Sequence, residues 1–192
     1  FYAQRETIMF RQIFRQPLLL ALGALFLGYL SPHANAASAS FAGLGDLPDG
    51  RFTSIADGVS GDGSVAVGFS YTGAGVFEFQ GFRWTRQDGI ALLLDLPTRS
   101  SAKAASFDGS VIVGGGSDFG AFLWTAGTGA VRLGDISGDD GTGTSARDVF
   151  DDGRVVVGRM PGEPAMPGEQ AMRWTAQDGI VGLGDLPGGE FR

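Results

Sequence analysis

Short apolar segments alternate with turn residues along most of this chain, and the same order of segments returns three times. Valine-rich runs occupy residues 64–69, 110–114 and 154–158, and an Asp-Gly pair precedes each run. Asp-Gly suits tight hairpins because both residues tolerate a positive φ. No window after residue 36 keeps the three-and-four apolar spacing of an amphipathic helix, so the pattern predicts an all-β region.

Each copy is predicted to contain four strands. In the first copy these cover residues 52–60, 64–69, 81–85 and 90–96. The fourth segment ends in a recurring phrase, which is Gly-Leu-Gly-Asp-Leu-Pro at residues 43–48 and again at 182–187, with variants at 92–97 and 132–136. Self-similarity at this period indicates a supersecondary unit stacked on copies of itself.

The valine runs are apolar at nearly every position rather than at alternate ones, which predicts burial on both faces. Four strands in 40 to 50 residues, repeated, are typical of β-propeller blades. We therefore predict an all-β fold, an incomplete β-propeller after a cleavable signal helix. Its blades are expected at residues 52–96, 99–136 and 142–186, and residues 41–47 are expected to form a strand of a closing blade. Because known rings need at least four blades, more blades are expected downstream.

The front of the chain resembles a targeting segment. Met9 begins a stretch with two arginines, an apolar run over residues 17–30 and an Ala-x-Ala end at residues 34–36. This order predicts a secretory signal peptide at residues 9–36, with an uncleaved membrane anchor as the alternative. Residues 1–8 are interpreted as an upstream extension. The repeat region is then residues 37–192, secreted to the periplasm, the cell surface or the medium.

The amino-acid composition limits which partners and which catalytic or metal sites are expected. The whole chain carries a net charge of −7, and residues 37–192 keep 11 basic and 20 acidic residues, a charge of −9. Such a surface disfavours nucleic acid as a partner. The chain has no cysteine, and its one histidine, His33, lies in the predicted signal peptide. Triads that need His or Cys, and the common zinc sites, are therefore excluded from the mature region.

Three motifs in fixed order carry a family resemblance: the Gly-Leu-Gly-Asp-Leu-Pro phrase, Asp-Gly-(Ser/Arg)-Val-x-Val-Gly, and (Phe/Met)-x-Trp-Thr. Together they resemble the HAF-repeat family of extracellular bacterial proteins. The His-Ala-Phe tripeptide that names the family reads Gln-Gly-Phe at residues 80–82, Gly-Ala-Phe at 120–122 and Gln-Ala-Met at 170–172. A role tied to that histidine therefore does not carry over. The resemblance implies an extracellular location and a repeat architecture, and it implies no reaction.

Two sets of side chains recur in register. Four aspartates stand in the repeated phrase, and either they cap turns or they form a carboxylate ring around a cation. Three tryptophans are expected in the core between blades rather than in sugar stacking. The aspartates are Asp46, Asp95, Asp135 and Asp185, and the tryptophans are Trp84, Trp124 and Trp174. No cofactor is expected. Calcium stays open at the acidic turns of residues 139–141 and 151–153, although neither matches a calcium-binding loop.

The two longest loops are the predicted binding sites. The loop at residues 71–80 carries Tyr71, Phe77 and Phe79, and the loop at residues 159–169 carries Met160 and Met166. Exposed aromatic and methionine side chains suit contact with a protein or glycan surface. The alternatives are loop variation without function, or an extension of the hairpin.

The sequence thus predicts an exported, non-catalytic binding or structural module. One alternative is a carboxylate-dependent glycoside hydrolase, since carboxylates are the abundant acid–base groups that remain. Another is the passenger region of a surface autotransporter. No membrane insertion is expected after signal cleavage, and self-association is possible if these three repeats are the whole chain.

Overall fold

The computed structural model describes residues 41–47, 51–73, 75, 77–134, 142–162 and 168–184. The chain divides into two compact units, Phe1–Ala42 and Gly43–Arg192, and the strands given below all belong to the second. The predicted signal peptide lies outside the described residues. None of the described segments is a helix with the length and hydropathy to cross a bilayer.

The described region is all-β and consists of three four-stranded antiparallel sheets, each with its strands in sequence order. Sheet 1 contains β1 (Ser54–Val59), β2 (Val65–Tyr71), β3 (Phe79–Thr85) and β4 (Gly89–Leu92). Sheet 2 contains β5 (Ser100–Ala105), β6 (Val111–Gly116), β7 (Gly120–Thr125) and β8 (Gly129–Arg132). Sheet 3 contains β9 (Ser145–Val149), β10 (Val155–Pro161), β11 (Glu169–Thr175) and β12 (Gly179–Gly182).

The fourth strand of each sheet ends earlier than the sequence predicts. β4, β8 and β12 stop at Leu92, Arg132 and Gly182, which are the first residues of the repeated phrase, and do not continue through it. Gly134 and Gly184, the third residues of two of these phrases, have φ of 79° and 73°, which takes the backbone out of the extended region. In sheet 1 a turn follows β4 instead, because the Leu96 N–H donates to the Leu93 carbonyl over 3.1 Å. In the residues described, the phrase therefore follows the fourth strand, and at residues 92–97 it links sheet 1 to sheet 2.

The strand predicted at residues 41–47 is wrong for the same reason. These residues are in no strand, and Gly45 has a φ of 87°. The segment is held to sheet 1 by a hydrogen bond from the Ser54 hydroxyl to the Gly45 carbonyl over 2.9 Å. It is a copy of the link and not of the fourth strand.

Two hydrophobic cores lie between consecutive sheets. The first joins Val65 and Val67 of sheet 1 to Ile112 and Phe122 of sheet 2. The second joins Val113 and Ala121 of sheet 2 to residues of sheet 3, which are Ala146, Val149, Val156, Met160 and Met172. Neighbouring positions Ile112 and Val113 on β6 therefore serve different cores, and both are fully buried. This confirms two-sided burial for β6.

Two-sided burial does not extend to β10. Val156 is fully buried against sheet 2, but Val157 is 41 % exposed. The described residues place no further sheet against this side of sheet 3. The expectation drawn from the valine pattern is therefore correct for the middle sheet and wrong for the last one.

The first strand of every sheet carries a bulge. The register with the second strand shifts at Asp57 in β1, at Lys103 in β5 and at Arg147 in β9. A glycine faces each bulge, and a Cβ on Gly68, Gly114 or Gly158 would collide with the carbonyl oxygen of Ile55, Ser101 or Ser145. The close strand pairing at the bulge explains these glycines.

The turns that precede the valine strands also join the sheets. The Asp62 N–H donates to the Phe107 carbonyl over 2.9 Å, and the Phe107 N–H donates to the Asp151 carbonyl over 3.0 Å. These three turns thus form a main-chain ladder across all three sheets. The ladder fixes one end of the sheet stack, and the β2–β3, β6–β7 and β10–β11 hairpins lie at the other end of those strands.

Candidate functional site

The three sheets share their core positions and differ where the second and third strands meet. Phe69, Gly115 and Arg159 occupy equivalent positions. Their cross-strand partners are Gly81, Ala121 and Ala171, which each lie three residues before the repeated Trp. The same register makes Phe79, Phe119 and Glu169 equivalent. This hairpin end is where the copies differ most in chemistry.

In sheet 1 the hairpin end carries an aromatic cluster, Phe69, Tyr71 and Phe79. Ring centroids lie 5.1 Å apart for Phe69 and Phe79, 5.9 Å for Tyr71 and Phe79, and 6.1 Å for Phe69 and Tyr71. The rings meet at 55° to 65°, so they pack on one another through tilted contacts. All three side chains are half-buried and leave part of their surface to solvent.

A charged group from sheet 2 borders this cluster. The Lys103 ammonium lies 5.8 Å from the Phe69 ring centroid and 2.9 Å from the Asp57 carboxylate. The Ser101 hydroxyl donates to the same carboxylate oxygen over 3.0 Å. The bulges at Asp57 and Lys103 turn these side chains toward each other, so sheets 1 and 2 both contribute to the surface.

The loop beyond the aromatic cluster is closed by its own hydrogen bonds. The Thr72 N–H and hydroxyl both donate to the Glu78 carbonyl, over 3.0 and 3.3 Å. Phe77 lies at this closed tip and is 69 % exposed. We call Phe69, Tyr71, Phe77, Phe79 and Lys103 the aromatic patch.

Arg99 borders the same patch with an unusual backbone. Its φ is 62°, and no other non-glycine residue of the described chain has a positive φ. Its N–H donates to the Phe79 carbonyl over 2.6 Å, and its carbonyl accepts from the Ser117 N–H over 3.2 Å. These two bonds hold the link between sheets 1 and 2 against both hairpins, at the cost of a conformation that ordinary residues rarely adopt.

The equivalent surfaces of the other sheets are already occupied by their own side chains. In sheet 2 the Arg132 guanidinium lies 4.5 Å from the Phe119 ring centroid and donates to the Asp118 carbonyl. In sheet 3 Arg159 and Glu169 form an ion pair. Only sheet 1, within the described residues, presents a group of aromatic rings there.

The five predicted binding residues differ in where the structure places them. Tyr71 and Phe79 form a cross-strand pair, so the two ends of the predicted loop belong to the hairpin, and Phe77 lies at the exposed tip between them. The exposure expected for Met160 is wrong: β10 continues to Pro161, and Met160 is 1 % exposed in the second core. Met166 lies outside the described residues.

The described region contains two of the four recurring aspartates, Asp46 and Asp95. Asp95 packs against the turn at Gly129, and one oxygen of Asp46 is buried without a hydrogen-bond partner. Asp135, Asp185 and the acidic turn at residues 139–141 lie outside the described residues. No group of three or more acidic or histidine side chains with metal-binding geometry occurs in the residues described.

Two other carboxylates hold the turns before β2 and β6. Asp108 accepts from the Ser110 hydroxyl over 2.7 Å, from the Ser110 N–H and from the Ser106 hydroxyl, and these bonds lower its pKa to about 2. Hydrogen bonds from the Ser60 hydroxyl and the Ser64 N–H likewise lower the pKa of Asp62. Both carboxylates are stabilised in the ionised form.

The tryptophans are half-buried, and two of them pack on the cores as expected. Trp124 lies against the first core and Trp174 against the second. The inter-sheet interpretation is therefore confirmed for these two residues.

Sequence reasoning missed Phe69, Asp57, Ser101 and Lys103. One sequence signal was available: Lys103 is the only lysine in the chain, and aligning the copies places it at the position of Asp57. Opposite charges at the same position of two consecutive repeats indicate a contact between neighbouring copies, and the third copy has Arg147 at this position. Its closeness to Phe69 depends on the bulges and could not be read from spacing.

The fold and this surface define a class, an all-β repeat protein made of consecutive four-stranded antiparallel sheets with one aromatic hairpin end. A scan against protein-family models finds no match for the chain, and a search of curated proteins finds no relative.

Proposed function

We propose that this chain belongs to an exported protein of HAF-repeat and β-propeller type that acts as a non-catalytic binding module outside the cytoplasm. The aromatic patch is its binding surface, and the partner is a protein or glycan surface. Export rests on the signal-like segment at residues 9–36, and the propeller architecture rests on the sequential stacking of four-stranded meanders.

The observation that carries the proposal is the contrast between the three hairpin ends. The repeats keep the same core, but among the described hairpins only sheet 1 has a group of several aromatic rings, whereas sheet 2 has the single ring of Phe119 with the Arg132 guanidinium against it. Aromatic side chains with a charged rim are the usual centre of a recognition surface, because they bury much area with little loss of conformational entropy. A structural role alone does not require Phe77 at an exposed tip.

The two described carboxylates whose pKa is shifted, Asp62 and Asp108, do not suit the general acid of a glycoside hydrolase. A general acid in glycoside hydrolysis needs a raised pKa. The hydrogen bonds at Asp62 and Asp108 change the pKa in the opposite direction. Both residues also serve the turns that start β2 and β6, which is a sufficient reason for their presence.

Binding can be tested with Phe77→Ala against a matched control. Phe150 is 62 % exposed in a turn of sheet 3, close to the 69 % of Phe77, but it is remote from the patch in the repeat. On a glycan array, Phe77→Ala should weaken a bound glycan about tenfold or more, roughly 1.4 kcal/mol, while Phe150→Ala changes affinity less than about twofold.

A protein partner is tested by placing a photo-crosslinking amino acid at position 77 or 150 of the exported protein in its own cells. A discrete crosslinked product at position 77 that is absent at position 150 supports the proposal. Equal products at both positions together with no Phe77-dependent glycan binding would overturn it.

A further inference from the structure

The side of sheet 3 that faces away from sheet 2 has the features of an interface between sheets. Each link begins with a leucine whose N–H donates to the same carbonyl of the third strand over 2.9 Å. The pairs are Leu93 with Gly81, Leu133 with Ala121 and Leu183 with Ala171. Leu93 and Leu133 are 1 % and 9 % exposed, whereas Leu183 is 58 % exposed.

The valines beside these leucines show the same contrast. Val67 and Val113 are fully buried by the following sheet, whereas Val157, at the equivalent position, is 41 % exposed. We call Val157, Ala171 and Leu183 the open face of sheet 3. The Leu183 hydrogen bond matches those of Leu93 and Leu133 on the two covered faces, so the exposure of this face does not come from a different local backbone.

The charged side chains next to the open face do not prevent another sheet from covering it. Arg173 pairs across strands with Val157 and lies 3.4 Å from Asp178 within its own sheet. Arg83 occupies the same position in sheet 1, lies 3.9 Å from Asp88, and is retained there although sheet 2 covers that side. An arginine in this row is therefore no obstacle to a covering sheet.

We propose that the open face docks a further four-stranded sheet of this same repeat type. The two existing interfaces specify its chemistry. The incoming sheet must present Ile or Val and Phe or Met, as Ile112 with Phe122 does for sheet 1 and Val156 with Met172 does for sheet 2.

A second copy of this chain is less suited to the role. Its corresponding surface would be that of sheet 1, where Phe82 is equivalent to Phe122 and Met172. Phe82 is already 1 % exposed, so that surface has no free apolar side chain at this key position. The inference rests on the stacking of the proposed propeller-type architecture and is independent of ligand binding at the aromatic patch.

The test inserts a second copy of residues 134–183 between Leu183 and Gly184 of the full chain. Because Leu133 and Leu183 are equivalent, the insertion keeps the repeat register. Docking should raise the unfolding temperature by about 4 °C or more. Val157→Lys in the original repeat should then lower it by a similar amount, while the same substitution in the inserted repeat, whose valine is exposed, should change it by less than about 1 °C.

The decisive result is whether Val157→Lys lowers the unfolding temperature more in the original repeat than in the inserted one. Equal effects of Val157→Lys in both repeats, or no stabilisation by the insertion, would overturn the inference. A native chain that is dimeric by light scattering and becomes monomeric with Val157→Lys would also overturn it, in favour of a second copy. Each of these results leaves the Phe77 binding test unaffected, so failure of one proposal is distinguishable from failure of the other.

Discussion

At the scale of single residues, the glycines of the Asp-Gly turns have two separate roles. Gly63, Gly109 and Gly153 have φ of 72°, 66° and 74°, so each allows the tight turn. A Cβ on Gly109 would also collide with Val65 of the preceding sheet, and one on Gly153 would lie 2.6 Å from Val111 Cγ2. Gly63 has open space around it. Two of the three glycines therefore also permit sheet stacking.

Alanine substitutions separate the two roles. Gly63→Ala should cost about 1–2 kcal/mol, because only the left-handed backbone is penalised. Gly109→Ala and Gly153→Ala should cost about 1–3 kcal/mol more, because overpacking between the sheets is added. Urea unfolding of the three variants measures the difference, and equal costs at all three positions would contradict the stacking contact.

Asp108 should make the protein sensitive to acid. Hydrogen bonds from Ser110 and Ser106 lower its pKa to about 2 from the ordinary value of 3.8, so its ionised form stabilises the folded state above the unfolded pKa. That contribution is lost as the pH falls from about 4 to 2. Asp108→Asn should therefore flatten the fall of the free energy of unfolding over this range.

The control for this effect is Asp152→Asn. Asp152 accepts the Arg154 N–H over 2.9 Å, but Phe150 and Arg154 replace the two serines found around Asp108. Chemical denaturation at pH 2, 3, 4 and 6 should show a smaller change for Asp152→Asn. A larger change for the control would contradict the role of the serine hydroxyls.

At the scale of elements, extension of the β2–β3 and β10–β11 hairpins decides which loop residues are available. β10 and β11 remain paired as far as Pro161 and Glu169, and this carries Met160 over the second core. β2 and β3 remain paired as far as Tyr71 and Phe79, but there the extension gathers aromatic rings at the surface. Extension of the hairpin therefore buries Met160, one predicted binding residue, and brings two others, Tyr71 and Phe79, together at the surface.

Met160→Ala should therefore destabilise the protein by about 2–5 kcal/mol, since it removes a fully buried side chain from a packed core. Phe77→Ala should change the free energy of unfolding by less than about 0.5 kcal/mol, because Phe77 is largely exposed. Equilibrium unfolding compares the two directly. A stability loss below about 1 kcal/mol for Met160→Ala would contradict its place in the core.

At the scale of the whole molecule, stability is carried by interfaces between sheets. The middle sheet contributes to both cores through adjacent residues of β6. Sheet 3 contributes to only one of these cores and is covered by sheet 2 on one side. Each interface also has a main-chain contact at the Asp-Gly turns. Sheets stacked in this way are expected to depend on their nearest neighbours.

Equivalent valines test this dependence. Val113→Ala should cost about 2 kcal/mol because Val113 is fully buried between sheets 2 and 3, while Val157→Ala should cost less than about 0.5 kcal/mol. The measurement is the unfolding free energy in urea. Similar losses at the two positions would show that sheet 3 is covered on both sides in solution.

Much of the architecture could be predicted from the sequence because it depends on local chemistry. Asp-Gly pairs and valine runs locate the first two hairpin strands of each copy, and the period establishes that the copies are alike. The same pattern predicted correctly that Trp124 and Trp174 pack against the cores between sheets. Strand ends were predicted poorly at the links, because a leucine-rich phrase has strand-like composition although its glycines at positions 134 and 184 have a positive φ.

The candidate site was only partly predictable. Tyr71, Phe77 and Phe79 are conspicuous as aromatic residues in a long variable segment, whereas Phe69, Asp57 and Lys103 read as ordinary strand positions. Their contact arises when two β-bulges on different sheets face each other. Local residue chemistry therefore determined the repeat, its strands and its turns, and tertiary stacking decided which apolar residues are covered, since burial depends on the neighbouring sheet and not on the residue itself.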